Sequence, residues 1–233
     1  YGPATPWRIF TVNPAFELSE YQRRLTKVRT AMWDKELDAL VIGDPANMNW
    51  LTGFDAWSFY VPQVMLVLHD HPPVWLGRQM DAGSVALTTH LGSESVRPYA
   101  EDLVQRDGVH PMDAIGTSLA EFHLEGKRVG FESDTYFFSF KAVERLQAKL
   151  SGAIWVDADL LVNWCRAVKS DVEIEAMRGA ARIASHVMTL AVEHIAPGVL
   201  QCDLVSKVLA AQVSGVDGLG GDTTALCPLI LAG

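Results

Sequence analysis

The sequence predicts an α/β fold in which helices cover a mixed β-sheet. Two apolar runs, residues 63–68 and 73–76, are joined by the polar, proline-containing stretch HDHPP, which indicates a β-hairpin. Further short apolar runs alternate with helical patterns, which is typical of strands connected through helices. A hairpin gives antiparallel neighbours and a helical crossover gives parallel ones, so both kinds of pairing are expected in one sheet.

The first part of the chain opens with a predicted helix. Residues 19–22 (SEYQ) match a capping box, with Ser19 as the N-cap and Gln22 as its reciprocal partner. Apolar side chains then recur at helical spacing on one face: Tyr21, Leu25, Val28 and Met32. Residues 37–43 (LDALVIG) predict a buried strand, and residues 47–51 (NMNWL) predict a short helical turn before Gly53.

After the hairpin, the alternation of helices and strands continues. Helices are expected over residues 79–89 and 111–124, where apolar residues recur at helical spacing. A strand is then expected over residues 127–132, a helix over 136–150 and a last strand over 153–157. This order completes the sheet before residue 160.

The pattern changes near residues 160–168, where we place a boundary between domains 1–162 and 163–233. Ser170 to Glu173 form a second capping box, which predicts the start of a long helix. Its apolar positions step by three and four: Ile174, Met177, Ala181, Ala184, Met188, Ala191 and Ile195. Pro197-Gly198 ends this helix, and another is expected over residues 201–213.

Composition and charge exclude several classes of function. The net charge of −9 argues against nucleic acid or an anionic membrane surface as a partner. The longest aliphatic run, residues 64–68, is too short to cross a bilayer, and no signal peptide is visible, so a cytoplasmic protein is expected. The three cysteines show no CxxC spacing, which favours reduced thiols: Cys165, Cys202 and Cys227.

Several polar motifs have an ordinary structural interpretation beside a functional one. His69-Asp70-His71 could ligate a metal but falls in the predicted hairpin turn, where polar residues are expected. Cys165 lies near Arg166 and Lys169, which could activate a thiol, yet a buried structural thiol is the more ordinary case. Four acidic residues show no shared spacing that would indicate a catalytic pair: Glu132, Asp134, Asp157 and Asp159. Four glycines favour a bulged loop, although a loop approaching a bound small molecule stays open: Gly215, Gly218, Gly220 and Gly221.

An aromatic segment, GFDAWSFYVPQ at residues 53–63, is the main candidate for binding. Its rings are Phe54, Trp57, Phe59 and Tyr60. The segment neither alternates nor is rich in valine and isoleucine, so a core strand and a binding surface are both open. We expect Phe54, next to Gly53, to belong to the core.

Three stretches in the same order resemble the creatinase/prolidase family. They are FELSEYQRRL followed by LDALVIGDPANMNWLTGFD, then NWCRAVKSDVEI, and last PLILAG at residues 228–233. The resemblance implies a creatinase-like N-terminal domain with a mixed sheet, followed by the start of a pita-bread α+β domain. The family's catalytic and metal-ligand positions would follow Gly233, so we assign no catalytic or metal residue and expect the chain to be truncated.

Within the family, AWSFYVPQVMLV, PVWLGRQMD, NWCRAVKS and GVDGLGGD look most like the ectoine-hydrolase branch. That resemblance implies cleavage of a C–N bond in a small nitrogenous solute, with ectoine opened to N-acetyl-diaminobutyrate. Xaa-Pro peptidases and creatinase-like amidinohydrolases are the alternatives, but the arginine that creatinases carry after the aromatic segment is missing from residues 59–62. The cofactor stays open: ectoine hydrolase and creatinase imply no metal, and prolidases imply two divalent metals.

The resemblance also implies a homodimer in which one subunit's N-terminal domain reaches over the other's active site. Trp57, Phe59 and Tyr60 would then bind the substrate, because a flat amidinium cation is attracted to aromatic faces. An interpretation of another class is a catalytically silent lid and dimerisation module.

Overall fold

A computed structural model of the chain describes residues 14–56, 58, 60–220 and 230. By its internal contacts the chain divides into two units, Tyr1–Ala167 and Val168–Gly233, and each is described by itself. None of the helices in the described residues is long and apolar enough to span a membrane.

The first unit is built on a six-stranded sheet with the order β4-β3-β2-β1-β5-β6. The strands are β1 (Ala39–Ile42), β2 (Val64–Leu68), β3 (Val74–Arg78), β4 (Val96–Tyr99), β5 (Arg128–Phe131) and β6 (Ile154–Asp157). The pairs β1–β2 and β2–β3 are antiparallel, and the pairs β1–β5, β5–β6 and β3–β4 are parallel. The predicted mixed sheet and its hairpin are confirmed.

Helices lie on both faces of this sheet. They are α1 (Leu18–Asp34), α2 (Pro45–Thr52), α3 (Ala82–Thr88), α4 (Pro111–Ala120), α5 (Phe140–Lys149) and α6 (Leu161–Ala167). Leu40 and Ile42 of β1 pack in a core with residues of α1, α2 and α6, whereas Ala39 and Val41 pack in a second core with residues of α4 and α5. The alternation of β1 side chains between two cores explains why the whole strand is buried.

The predicted capping box at the start of α1, with Ser19 as the N-cap, is wrong. The helix begins at Leu18 with Glu17 as the N-cap, whose side chain makes no capping hydrogen bond, and Ser19 lies inside the first turn. Glu20 binds Arg23 and Arg24 instead, with Oε1 to nitrogen distances of 2.7 Å and 2.9 Å. The acidic first turn and its ion pairs therefore take the place of the predicted capping box.

Strand β4 was not predicted. In its sequence, VRPY, Val96 and Arg97 are half-buried and Pro98 is exposed, so it carries no apolar run. It lies at the edge of the sheet, where a proline that cannot donate a backbone hydrogen bond is tolerated. The predicted helices 111–124 and 136–150 are shorter in the structure, because α4 ends at Ala120 and α5 begins only at Phe140.

The second unit contains α7 (Asp171–His194) and α8 (Gln201–Ser214). The predicted capping box of α7 is confirmed, with reciprocal hydrogen bonds between Ser170 and Glu173. The two helices share a small buried core: Val187, Leu204, Val208 and Ala211. Much of the predicted apolar stripe of α7 lies at the surface instead, with Met177, Met188 and Ile195 exposed by 54%, 63% and 65%.

Candidate functional site

The aromatic segment begins at a tightly constrained turn. Helix α2 ends at Gly53, which has a φ of 86°, in the left-handed region that favours glycine. A Cβ at this position would lie 2.7 Å from both the Thr88 carbonyl oxygen and the Tyr21 hydroxyl oxygen. The turn therefore requires glycine, and it fixes the direction in which the chain leaves α2.

The structure separates the rings of this segment. Phe54 is 1% exposed and packs against Trp75 with ring centroids 5.5 Å apart, which confirms the prediction that it belongs to the core. Trp57 and Phe59 lie outside the described residues. Tyr60 is 61% exposed and borders a cleft. The substrate-binding role of Trp57, Phe59 and Tyr60 stays a prediction.

The cleft lies at the carboxyl end of β1 and has a volume of about 400 Å³. One wall is the segment from Tyr60 to Gln63, which leads into β2. The opposite wall includes the amino-terminal ends of α4 and α5, at His110 and Ser139. The described residues lining the cleft include no aspartate or glutamate, although the chain carries 28 of them.

Gln63 is the most unusual side chain of the cleft. It is 5% exposed, and neither its amide oxygen nor its amide nitrogen has a hydrogen-bond partner in the described part of the chain. Buried polar groups are nearly always paired, because an unsatisfied one costs about 1–3 kcal/mol. Sequence reasoning missed this residue, since a lone glutamine before a strand carries no pattern.

His110 also lines the cleft. Its Nδ1 accepts the Met112 backbone N–H at 3.1 Å and caps α4. Burial lowers the pKa of the ring, which favours the neutral form. A neutral imidazole that accepts at Nδ1 carries its proton on Nε2, so that nitrogen is left as a donor.

A buried polar cluster lies beside the cleft at the carboxyl ends of β1 and β5. Glu132 Oε2 accepts the backbone N–H groups of Gly43 and Asp44 at 3.1 Å and 3.2 Å, and its Oε1 accepts Asn47 Nδ2 at 2.5 Å. Burial raises the pKa of Glu132 to about 7, although these three donors oppose the rise. Gly43 also lines the cleft, so the cluster and the cleft share backbone.

Asn47 extends this cluster to helix α6. Its Nδ2 donates to Asn163 Oδ1 at 2.8 Å, and its Oδ1 accepts from Arg166 at 2.6 Å. In the sequence, Glu132 stands out only as one of several carboxylates, and Asn47 carries no distinguishing pattern. The only sequence signal was that a helix start and a strand end both carried polar residues, which is too common to be selective.

The other polar motifs have structural roles in the described residues. His69 Nε2 lies 2.7 Å from the Leu37 carbonyl oxygen, and its ring stacks on Trp33 with centroids 4.1 Å apart. Cys165 is buried, and burial raises the pKa of its thiol, which argues against an activated nucleophile. Within the described ranges, no three histidine, cysteine or acidic side chains group so that they could hold a metal ion.

The remaining candidates are also accounted for by local geometry. Asp157 Oδ1 accepts from Ser133 Oγ at 2.5 Å and from the Asp159 backbone N–H at 2.7 Å, so it organises the turn after β6. Gly215, Gly218 and Gly220 all have positive φ values around a tight turn, in which the Val216 and Leu219 backbones pair. Gly221 lies outside the described residues.

Comparison with known proteins finds a matching family model and several relatives of this chain. Residues 24–168 match the model of the creatinase/prolidase N-terminal domain. The chain is 41% identical to ectoine hydrolase of Halomonas elongata over 228 residues, which is 95% of this chain and 57% of that protein. It is 28% identical to creatinase of a Bacillus species, over 87% of this chain and 47% of that enzyme. The chain thus spans about half the length of the relatives it matches.

A solved prolidase from Thermococcus sibiricus shares the fold. The two structures superpose with a TM-score of 0.69 over 89% of this chain and 52% of the prolidase, at 16% sequence identity. Identity this low shows a common architecture and carries no information on substrate.

Proposed function

Because this chain belongs to the creatinase/prolidase family, we propose that it is the N-terminal part of a hydrolase that cleaves a C–N bond in a small nitrogenous solute. The observation that carries the proposal is the 41% identity to an ectoine hydrolase, which extends over 95% of the chain. The substrate we propose is ectoine, whose cyclic amidine would be opened to N-acetyl-diaminobutyrate. An Xaa-Pro peptidase and a creatinase-like amidinohydrolase are the alternatives.

The aromatic segment is the part of this chain that we assign to the substrate. In a homodimer, Trp57, Phe59 and Tyr60 of one subunit would line the substrate site of the other. The 61% exposure of Tyr60 supports this assignment, because the ring is not used by the core of its own unit, in contrast to Phe54. An aromatic face contributes about 0.5–2 kcal/mol to binding a flat cation.

The chemistry we propose is general acid–base hydrolysis. A carboxylate or a histidine activates water, or a carboxylate attacks directly, and an acid protonates the departing nitrogen. We assign neither role to a residue of this chain. Its contribution is to hold rings against the substrate and to exclude water, which strengthens the electrostatic interactions that guide proton transfer.

The test is an assay of the full-length protein with ectoine, creatine and an Xaa-Pro dipeptide. We expect release of N-acetyl-diaminobutyrate from ectoine and little turnover of the other two substrates. The metal content of the purified protein separates the same branches, because the resemblance implies two divalent metals for the prolidase branch and none for ectoine hydrolase. Preferred cleavage of the dipeptide would overturn the proposed substrate.

The role of the rings has its own test. We expect Trp57→Ala to lower kcat/KM for ectoine by about 2- to 30-fold, which corresponds to the loss of one aromatic–cation contact. Trp33→Ala is a matched control, since Trp33 is 66% exposed on α1 and stacks only on a histidine ring in the described structure. An unchanged kcat/KM for Trp57→Ala in an intact dimer would remove the ring from the mechanism.

A further inference from the structure

The cleft beside Tyr60 is lined by a residue whose buried side-chain amide has no hydrogen-bond partner in the described residues. Gln63 lines this cleft, is 5% exposed, and has neither its donor nor its acceptor satisfied within the described residues. An unsatisfied buried polar group destabilises the fold, so a partner for this amide is favoured. Both atoms are almost inaccessible as they stand, so a ligand reaches them once the side chain turns toward the cleft. A ligand with one acceptor and one N–H donor, such as an amide group, would then satisfy both atoms.

The described lining of the cleft carries no negative charge, although Asp102, Asp113 and Glu132 lie close to lining residues. In a chain of net charge −9, no acidic side chain is among the described residues that line it. Arg106 contributes a guanidinium, but it lies 3.1 Å from Asp102 and both side chains are mostly exposed, so its attraction is weakened. His110 adds the neutral Nε2 donor described above.

Helix α5 adds a further element of positive potential. Its ten residues begin after Ser139, whose Oγ accepts the Ala142 backbone N–H at 3.1 Å. Ser139 and Ala142 both line the cleft, so the amino-terminal end of the helix dipole borders it. A carboxylate near a helix amino terminus is stabilised by the helix dipole.

From these observations we propose that the cleft binds a small carboxylate that also carries an amide group, such as an N-acylated amino acid, with Gln63 as its buried anchor. The carboxylate lies toward the end of α5 and His110, and the amide pairs with Gln63. The proposed product, N-acetyl-diaminobutyrate, is itself an N-acylated amino acid, but this inference concerns a separate site, because binding here needs neither a second subunit nor a catalytic step.

The experiment measures binding of N-acetylglycine to the 233-residue chain by titration calorimetry, with NMR shifts as a second readout. Acetate and acetamide each lack one of the two groups and serve as comparison probes. We expect N-acetylglycine to bind at least about tenfold more tightly than either, which corresponds to one satisfied hydrogen bond. Equal affinity for acetate, or no detectable binding of N-acetylglycine, would overturn the proposal.

Two matched variants assign the binding to the anchor. Gln63→Leu is expected to weaken N-acetylglycine binding about tenfold, whereas Gln147→Leu, at an exposed position of α5, is expected to leave it unchanged. The melting temperature of Gln63→Leu is expected not to fall, since an apolar side chain of similar shape removes two unsatisfied groups. Unchanged binding by Gln63→Leu would contradict the assignment.

A third variant keeps the test informative if Gln63→Leu folds poorly. Val109 lines the cleft and is 37% exposed, so Val109→Trp fills the space without disturbing the core. We expect this variant to lose N-acetylglycine binding, and retained binding would place the ligand elsewhere. These measurements require no turnover, so their outcome is separate from that of the ectoine assay.

Discussion

The two units of the chain bury their apolar side chains to very different extents. In the first unit, helices cover both faces of the sheet, and every residue of β1 is buried. In the second unit, α7 and α8 share a core of four buried residues and leave Met188 and Ile195 exposed by 63% and 65%. Apolar burial is the main favourable term in folding, so we infer that most of the stability resides in the first unit.

This difference also separates two kinds of amphipathic helix. Helix α1 buries the apolar stripe that its sequence predicts, with Val28 and Met32 fully inside. Helix α7 carries an equally regular stripe, but of that stripe Ala191 packs against the core shared with α8, together with Ile183 and Val187 from a neighbouring face. Periodicity therefore identifies a helix, and it does not by itself decide which face the helix buries.

Separating the units is the most severe test of this comparison. We expect residues 1–167 alone to unfold in one cooperative thermal transition, because their own helices cover the sheet. We expect residues 168–233 alone to show no such transition and to bind a hydrophobic dye, because so much apolar surface is exposed. Circular dichroism and dye fluorescence measure both. A cooperative transition in the isolated second unit would contradict the comparison.

A pair of methionines compares the units at the level of single side chains. Met32→Ala removes a fully buried side chain from α1, and we expect it to lower the free energy of unfolding by about 2–5 kcal/mol. Met188→Ala makes the same change on α7 at a position that is 63% exposed, with an expected effect below about 0.5 kcal/mol. Urea denaturation measures both. Similar losses would show that a partner covers Met188 in solution.

Glu132 gives the first unit a pH-dependent stability. Its pKa is raised from 4.5 to about 7, so the folded state keeps a proton that the unfolded state releases. The contribution of this proton to the free energy of unfolding is fully present below pH 4.5. It is lost as the pH rises toward 7, by about 3 kcal/mol in total. Urea denaturation at several pH values measures this slope. Glu132→Gln should remove it, and a variant that keeps the slope would point to another group.

The Glu132→Gln substitution is also expected to lower the stability of the fold directly. A glutamine amide would place its NH2 group either against Asn47 Nδ2 or against the Gly43 and Asp44 backbone N–H groups, and all of these are donors. Asn47 cannot simply turn its amide around, because its Oδ1 already accepts from Arg166. We therefore expect the variant to be less stable than the parent protein at low pH, where the parent gains most from its bound proton.

Two glycines with nearly equal φ values allow the comparison with the smallest expected effect. Gly53 and Gly198 have φ values of 86° and 87°, so alanine is strained by about 1–2 kcal/mol at either position. At Gly53 the added Cβ would also meet two oxygens at 2.7 Å, whereas Gly198 has nothing within 4 Å. We expect Gly53→Ala to exceed Gly198→Ala by about 1 kcal/mol in thermal unfolding. Equal losses would mean that the turn after α2 relaxes freely.

The sequence predicted those parts of the fold that depend on local pattern. The hairpin of β2 and β3 and the capping box at Ser170 are examples, because each is specified by neighbouring residues. Strand β4 could not be predicted, since it is held by pairing to β3 and not by its own apolar content. The cap at Ser19 failed because Glu20, within the same pattern, is engaged by two arginines.

The candidate site was less predictable than the fold. Gln63 and Ser139 meet in the cleft from distant parts of the sequence, and no spacing rule connects them. The interaction of Asn47 with Glu132 is equally remote, with partners on α2 and just after β5. For the aromatic segment, the substrate role came from family resemblance, and the sequence pattern alone left it open.

The central position of β1 has a consequence for folding during synthesis. Its neighbour β2 follows closely in the chain, whereas Ala39 pairs with Val129, about ninety residues later. As the protein leaves the ribosome, the edge of β1 that pairs with β5 stays unpaired until β5 emerges. Long-range pairing of this kind is slow. A nascent chain of this family is therefore most vulnerable to aggregation in that interval, when an apolar strand presents an open edge.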